Sequence, residues 1–579
     1  MEFESKRMQF VGAIALMLSA GFVLPAMAAD TNRLAALVAA DVSRPVRLGG
    51  VDGQAYWNRR SIHFMHPPAF DFKKVEGADR YRFTVIDDSL EEHSFTSGSP
   101  TADLSPVWMV IPPGFTRLTV EAFDPDGKTL GQCGFRRFWK LAPYEPGAYP
   151  DKPYSYTECI KKFYPVLFFH TNTQHFLKHG CPDGYSDLQN IYPAKMNASL
   201  IRGMLRYSRM SPENRDAALA VARNAADYTL SISQGKDAPL AHFPPTYWKM
   251  ENQKSDFASV RYAGQNMTVY PAVMADAYLD LYAAVGDGKY LDAAIAIANT
   301  YKRLQLPDGT WYIKYREKDA SPVVEGGGKD PVKLTPTVVC MFLENLSRVT
   351  GDARWRAVAD RAFAYIEAGP LKTWDFGPQF EDTRPSVNYR DLTSCVPMEI
   401  ALYLLKRFPG DPERMAQVRE LARWIEDQFM CWRKPCRANG HGMLSEPWHN
   451  FHPVWSPVCS MNGNAFRLFD NWVDVPGVME KYRWSIMLNV LNAMAMHMYL
   501  EMYRIEKDEL CLAKAKTLAD SIVRVQAMGP DGEIATHWDM GDVAKGVRCL
   551  QNWTNCGVWT VLRLEELAME LEKEEVGKR

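Results

Sequence analysis

Two hydrophobic periods divide the chain. Between about residues 43 and 142 apolar and polar positions alternate in twos, as in Arg80-Tyr-Arg-Phe-Thr-Val85 and Thr116-Arg-Leu-Thr-Val-Glu-Ala122. Half-buried strands have this period. Pro112-Pro113-Gly114 and Asp124-Pro-Asp-Gly127 supply turns between them. An alanine-rich lead-in, 29–42, comes before this segment, and a Pro/Gly-rich linker, Leu141 to Pro153, follows it. From about Tyr154 the period becomes helical. Ala218, Leu219, Val221, Ala222, Ala225 and Ala226 recur at helix spacing.

The helical part repeats. Tyr192-Pro193-Ala194 returns as Tyr270-Pro271-Ala272, with looser copies at Leu334-Thr335-Pro336-Thr337 and Cys395-Val396-Pro397-Met398. Each copy opens an apolar helical run, and proline suits the first helical position because no backbone donor is lost there. A second phrase turns each pair: Gly286-Asp-Gly-Lys-Tyr290, Gly351-Asp-Ala-Arg-Trp355 and Gly410-Asp-Pro-Glu-Arg414. Glycine ends one helix and aspartate caps the next. Ser211-Pro-Glu-Asn-Arg215 and Glu506-Lys-Asp-Glu-Leu510 hold equivalent places. A third phrase ends the pairs, with Arg303-Leu-Gln-Leu-Pro-Asp-Gly-Thr-Trp311 matching Arg524-Val-Gln-Ala-Met-Gly-Pro-Asp-Gly-Glu533. The hairpins expected are 186–233, 263–305, 334–368, 390–429 and 482–526, and a sixth joins 553–574 to 155–178. Two-helix units of this kind cannot bury their apolar faces alone, and six can close into a ring.

Composition narrows the class. The 579 residues exceed one ordinary core. A net charge of -2 implies no nucleic-acid partner. Lys6 and Arg7, the apolar run Phe10 to Leu24 and Ala26-Met27-Ala28 read as a secretory signal at 1–28, cleaved after Ala28. No later run is long and apolar enough for a bilayer. The expected mature chain is secreted or periplasmic, with no membrane insertion. The 11 cysteines form no dense framework and no C-x-x-C pair, so no structural zinc is expected. Cys431 and Cys436 are spaced for a local disulfide. Aromatics reach 12%, with 16 Trp and 26 Tyr, which suits sugar-stacking clefts as well as core filling.

Two resemblances follow from these phrases. Val75-Glu-Gly-Ala-Asp-Arg-Tyr-Arg-Phe, with Pro-Pro-Gly and Leu-Thr-Val-Glu-Ala-Phe-Asp, resembles a fibronectin type III-like β-sandwich over 43–142. The Tyr-Pro-Ala, Gly-Asp-x-x-Tyr/Trp and Pro-Asp-Gly phrases resemble the (α/α)6-barrel six-hairpin glycosidases over 150–579. Within that group the chain is most similar to glycoside hydrolase family 154, whose members are β-glucuronidase-like. The fold class implied is multidomain, an N-terminal β-sandwich followed by an all-α (α/α)6 toroid that carries catalysis. The activity implied is hydrolysis of a uronic-acid-containing oligo- or polysaccharide, with no cofactor. Polysaccharide lyases and uronyl epimerases use the same barrel, and a non-catalytic glycan-binding protein is a third reading.

In such a barrel the loops before the inner helices meet at one mouth, where helix N-termini favour anionic groups. These loops hold Asp187, Gln189 and Asn190, then Tyr262, Gln265 and Asn266, then Lys333, then Tyr389, Arg390 and Asp391. The long irregular stretch 430–481 holds His441, Glu446, Trp448, His449 and His452. Tyr482, Arg483 and Trp484 open the fifth inner helix, and His537 and Trp538 precede the last. Glycoside hydrolysis requires a proton donor and a second carboxylate. Asp187, Asp391 and Glu446 are the carboxylates best placed for those roles, each of which could equally be a cap, an ion-pair partner or a solvated charge. The remaining residues would bind substrate. Arginine suits a uronate because its donors form a planar fork. A lyase would instead use Tyr262, Tyr389 or His449 as base.

Overall fold

The computed structural model describes residues 30–46, 61, 63–183, 192–248, 262–324, 329–376, 395–433, 476–480, 486–529, 532–538 and 554–578. A helix, α1 (30–42), leads into strands β1 (His63–Phe64), β2 (Arg80–Ile86) and β3 (Glu92–Ser97), the short helix α2 (Ser105–Trp108), and strands β4 (Gly114–Phe123) and β5 (Thr129–Lys140). The strands form one sheet in the order β1-β5-β4-β2-β3, antiparallel except that β1 runs parallel to β5. Tyr81, Phe83, Val85, Leu118, Val120 and Ala122 line its buried face. Of the β-sandwich that the fibronectin-like resemblance implies, the described residues contain one five-stranded sheet. Leu104, Val107, Trp108 and Ile111 of α2 and its flanks belong to the same core. A strand with one apolar face reads alike whether a second sheet or a helix covers it.

The helical part begins with α3 (Tyr156–Phe169) and α4 (Thr171–His179), separated at His170, whose ring caps α4, rather than forming one helix over 155–178. Next come α5 (Pro193–Met210), α6 (Arg215–Ser231), β6 (Gln265–Met267), α7 (Val269–Val285), α8 (Gly288–Leu304) and β7 (Lys314–Arg316). They are followed by α9 (Thr337–Thr350), α10 (Ala353–Ala368), α11 (Pro370–Thr373), α12 (Cys395–Arg407), α13 (Pro412–Phe429), β8 (Met430–Cys431), β9 (Gly477–Glu480) and β10 (Ile486–Leu488). The chain ends with α14 (Asn489–Glu506), α15 (Glu509–Met528), β11 (His537–Trp538) and α16 (Thr554–Lys578).

Packing closes the ring. Helix α5 contacts α7, α7 contacts α9, α9 contacts α12, α12 contacts α14, α14 contacts α16, and α16 returns to α5. Each of these inner helices has an outer partner: α6, α8, α10, α13 and α15 in turn, and α3 for α16. This is a closed six-hairpin toroid. Because every hairpin reverses the chain once, the inner helices all start at the same end of the ring.

Local chemistry sets the hairpins. Gly286, Gly351 and Gly410 take φ of +72°, +70° and +78° at helix ends. Asp287, Asp352, Asp411 and Asp508 then accept backbone N–H groups at the starts of α8, α10, α13 and α15. The return phrase has an equally specific role. Gln305 Nε2 donates to Gly309 O at 2.8 Å and to Val358 O, on the next outer helix, at 3.0 Å. Gln526 Nε2 does the same to Gly532 O at 2.7 Å and Cys159 O at 3.1 Å. The Pro-Asp-Gly turn is thus a fastener between neighbouring hairpins.

The N-terminal part is locked to the toroid by buried charge. Lys514 Nζ lies 3.1 Å from Asp41 and 2.6 Å from Glu426, and Arg423 Nε lies 3.1 Å from Asp41. Tyr499 donates to Glu426 at 2.8 Å. Asp427 accepts from the backbone of Met65 and His66 and contacts the His66 ring at 2.9 Å. Burial alone would raise the Asp41 carboxyl, but Lys514 and the neighbouring cations hold it well below the usual range. Cys431 is a buried free thiol, and Cys436, its expected disulfide partner, lies outside the described residues. Among the described residues no helix is long and apolar enough to cross a membrane.

Candidate active site

Strands β6 and β7 pair just ahead of α7, with Gln265 opposite Arg316, Asn266 opposite Tyr315 and Met267 opposite Lys314. The backbone N–H of Glu317 donates to Gly264 O at 2.9 Å, which carries the ladder one residue further. A return strand from hairpin two is thereby held against the loop that starts its inner helix. The segment 244–247 runs alongside: Asn266 Nδ2 donates to Pro244 O at 2.8 Å, Thr246 Oγ1 accepts from Met267 N, and Pro245 O accepts from Ala194 N at the start of α5.

Aromatic rings collect at this mouth. Tyr247 sits 5.8 Å from Tyr192 and 5.0 Å from Tyr262, centroid to centroid. Lys195 Nζ lies 5.6 Å from the Tyr192 ring and 5.5 Å from the Tyr270 ring, and buried Lys314 lies 4.3 Å from the Tyr262 ring. Two ammonium groups are therefore held on tyrosine faces, where the ring quadrupole stabilises them. Three buried acceptors along the β6–β7 ladder have no donor among the described residues: Oε1 of Gln265, Oδ1 of Asn266 and Oε1 of Glu317. Burial raises the Glu317 carboxyl above its ordinary range, with the Asn266 side chain partly opposing the shift. A partly buried carboxylic acid, amide acceptors, cations and aromatic faces together are suited to binding a hydroxyl-rich, anionic ring and to passing a proton to it.

The sequence-derived site residues divide three ways. Asp187, Gln189, Asn190, Tyr389, Arg390, Asp391, His441, Glu446, Trp448, His449, His452, Tyr482, Arg483 and Trp484 lie outside the described residues. His537 and Trp538 form β11, paired with Leu488 and Met487 on β10 directly before α14. Tyr262, Gln265 and Asn266 meet at the mouth described above. Lys333 is half exposed and its ammonium is engaged by Asp308 of the Pro-Asp-Gly turn. Sequence reading passed over Glu317, Lys314, Lys195 and Tyr247. The signal for the first two was available, since the return phrase ending at Trp311 leads straight into Ile313 to Glu317.

Among the described residues two clusters bring metal-type donors together. Asp41, His66 and Glu426 have ligand atoms within 4.8 Å of one another, but the ammonium of Lys514 already bridges the two carboxylates, and the set functions as the interdomain lock. Asp87, Glu91 and His93 form the other. There Asp87 accepts from the backbone of Ser89 and Glu91 and contacts His93, which is ordinary turn chemistry.

No family model matches the sequence, and no curated protein matches it. Solved structures similar to it include a family 76 glycoside hydrolase from a bovine Bacteroides thetaiotaomicron strain, at 10% identity and a TM-score of 0.44, over 90% of this chain and 98% of that one. A D-mannose isomerase aligns at 13% identity and a TM-score of 0.45, over 72% and 99% of the two chains. A cellobiose 2-epimerase from Spirochaeta thermophila aligns at 13% identity and 0.42, over 71% and 98%. At these identities and TM-scores the likeness assigns this chain neither a family nor an activity.

Proposed function

We propose that the chain is an exported glycoside hydrolase that removes a uronic-acid-type sugar from a glycan by carboxylate acid/base chemistry. The observation that carries this reading is the set of three acceptors without a donor among the described residues, Gln265 Oε1, Asn266 Oδ1 and Glu317 Oε1, along the β6–β7 ladder that stands at the start of α7. Buried acceptors without donors are costly, and sugar hydroxyls supply donors. Lys314, Lys195 and the helix starts favour the uronate carboxylate. Glu317, its carboxyl raised by burial, is the proton donor to the leaving oxygen. The second carboxylate comes from Asp187, Asp391 or Glu446, in keeping with the resemblance to β-glucuronidase-like family 154.

Leaving-group dependence tests the role of Glu317. Glu317→Gln should lose roughly 10²–10⁴-fold of kcat on an alkyl glycoside and far less on a p-nitrophenyl glycoside, whose leaving group needs no proton. Equal losses on both would remove Glu317 as the acid. A lyase would release a product with a C4–C5 double bond that absorbs in the ultraviolet, and an epimerase would release no sugar.

A further inference from the structure

Polar residues stand partway along each inner helix, among them Arg202 on α5, Asp276 on α7, Asn345 on α9, Glu399 on α12, His497 on α14 and Arg563 on α16. At about 1.5 Å per residue, Arg563 lies roughly 13 Å below the start of its helix, well beneath the mouth. Glu399 and Cys395 on α12 act on its guanidinium electrostatically although α12 and α16 are not neighbours in the ring, α14 standing between them.

The charges along the inner helices are unevenly matched. Arg202 pairs with Asp280 at 2.6 Å and Asp276 at 3.5 Å. Arg206 pairs with Glu565, Arg407 with Glu344 and Asp360, and Arg504 with Glu501, Glu566 and Glu570. Among the described residues Arg563 has no such partner: it forms no hydrogen bond or ion pair with them, and its Nη1 is buried without an acceptor. Glu399 stays beyond ion-pair reach. Trp559 lies between two guanidiniums, 4.9 Å from that of Arg202 and 5.5 Å from that of Arg563, so one indole positions a neutralised cation and an unneutralised one. His497, on the neighbouring helix, lies 3.5 Å from Glu501 through Nε2, and its buried Nδ1 has no partner among the described residues.

We propose that Arg563, backed by Trp559 and His497, is an anion site among the inner helices of the toroid that takes a carboxylate or similar small oxyanion. A planar guanidinium with open donors matches a carboxylate in geometry and charge, and such charge-assisted pairs are the strong ones. The ligand is either a free anion or the carboxylate of a sugar. The site stands independently of the glycosidase reading.

The test is titration of the mature full-length protein with acetate, D-glucuronate and neutral D-glucose at low ionic strength, read by calorimetry and tryptophan fluorescence. Saturable binding of acetate or glucuronate but not glucose is expected. Arg563→Met should weaken it roughly tenfold or more, Arg563→Lys should weaken it less, and Trp559→Phe should remove the fluorescence change while keeping the heat. Equal affinities for the two anions identify a free-anion site, and a preference for glucuronate identifies a sugar carboxylate. Absence of binding by either anion in the wild-type protein overturns the proposal, as does unchanged binding in both Arg563 variants. Glycoside turnover without anion binding would sink this site alone.

Discussion

Lys507 ends α14 in the left-handed region, at φ +56°, where the other hairpins use Gly286, Gly351 and Gly410. A side chain there costs on the order of 1–2 kcal/mol, partly offset by what glycine loses in the unfolded chain. Lys507→Gly should therefore stabilise the protein by about 1 kcal/mol, since its only described ion pair is an exposed 3.9 Å contact with Glu570. An unchanged or lower urea midpoint would contradict this. His497 gives a pH signature. Burial, then the positive fields of Arg563 and Arg504, bring its pKa down from 6.5 to about 3. Between those values the unfolded chain binds a proton that the folded one refuses, so stability is full above about pH 6.5 and falls as pH drops toward 3. His497→Gln should lose less stability than wild type between pH 7 and pH 4 in paired urea titrations.

At the scale of elements, the turns were the most legible part of the sequence. A glycine at positive φ and an aspartate cap are local requirements, so Gly286-Asp287, Gly351-Asp352 and Gly410-Asp411 marked their hairpins without any knowledge of packing. The return phrase was legible as a repeat, but the reason for it was not. A Cβ on Gly309 would meet Arg361 O at 2.1 Å, and one on Gly532 would meet Lys162 O at 2.9 Å. Both contacts are with the next outer helix, which only the closed ring supplies. Gly309→Ala should cost at least about 2 kcal/mol, because backbone cannot retreat like a side-chain tip. Gly286→Ala, at φ +72° with nothing within 4 Å, should cost only about 1 kcal/mol. Comparable losses in denaturant melts would mean that the return turn is not a tight fastener. The strand alternation over 43–142 was legible too, yet it could not separate a sandwich from one sheet covered by α2, because both bury the same face.

At the scale of the whole molecule, ring closure converts ordinary helix residues into a site. Arg202, Asp276 and Arg563 stand far apart in sequence, and ring closure brings Arg202 to Asp276 and to the Trp559 ring that Arg563 also shares. Lys314 and Glu317 are brought to the mouth by β6–β7 pairing across about fifty residues, which no local pattern encodes. The lock between the N-terminal part and the toroid is of the same non-local kind. Lys514→Met leaves Asp41 and Glu426 buried without their bridging cation and should cost ~3–5 kcal/mol. It should also expose the linker around 141–153 to protease, and a variant that melts and resists cleavage like wild type would contradict the lock. Export is a separate expectation, and a mature chain beginning at Ala29 would meet it.

The central claim is hydrolysis of a uronide with Glu317 as proton donor. The most direct measurement is product analysis of the purified mature chain, wild type and Glu317→Gln, incubated with a panel of unactivated uronide and neutral glycans. The wild-type chain should release a saturated uronic acid from uronides, and Glu317→Gln should lose roughly a hundredfold or more of that release. Cleavage of no glycan, release of an unsaturated product, or cleavage of uronides by Glu317→Gln as fast as by wild type would contradict acid catalysis by Glu317 in a uronide hydrolase.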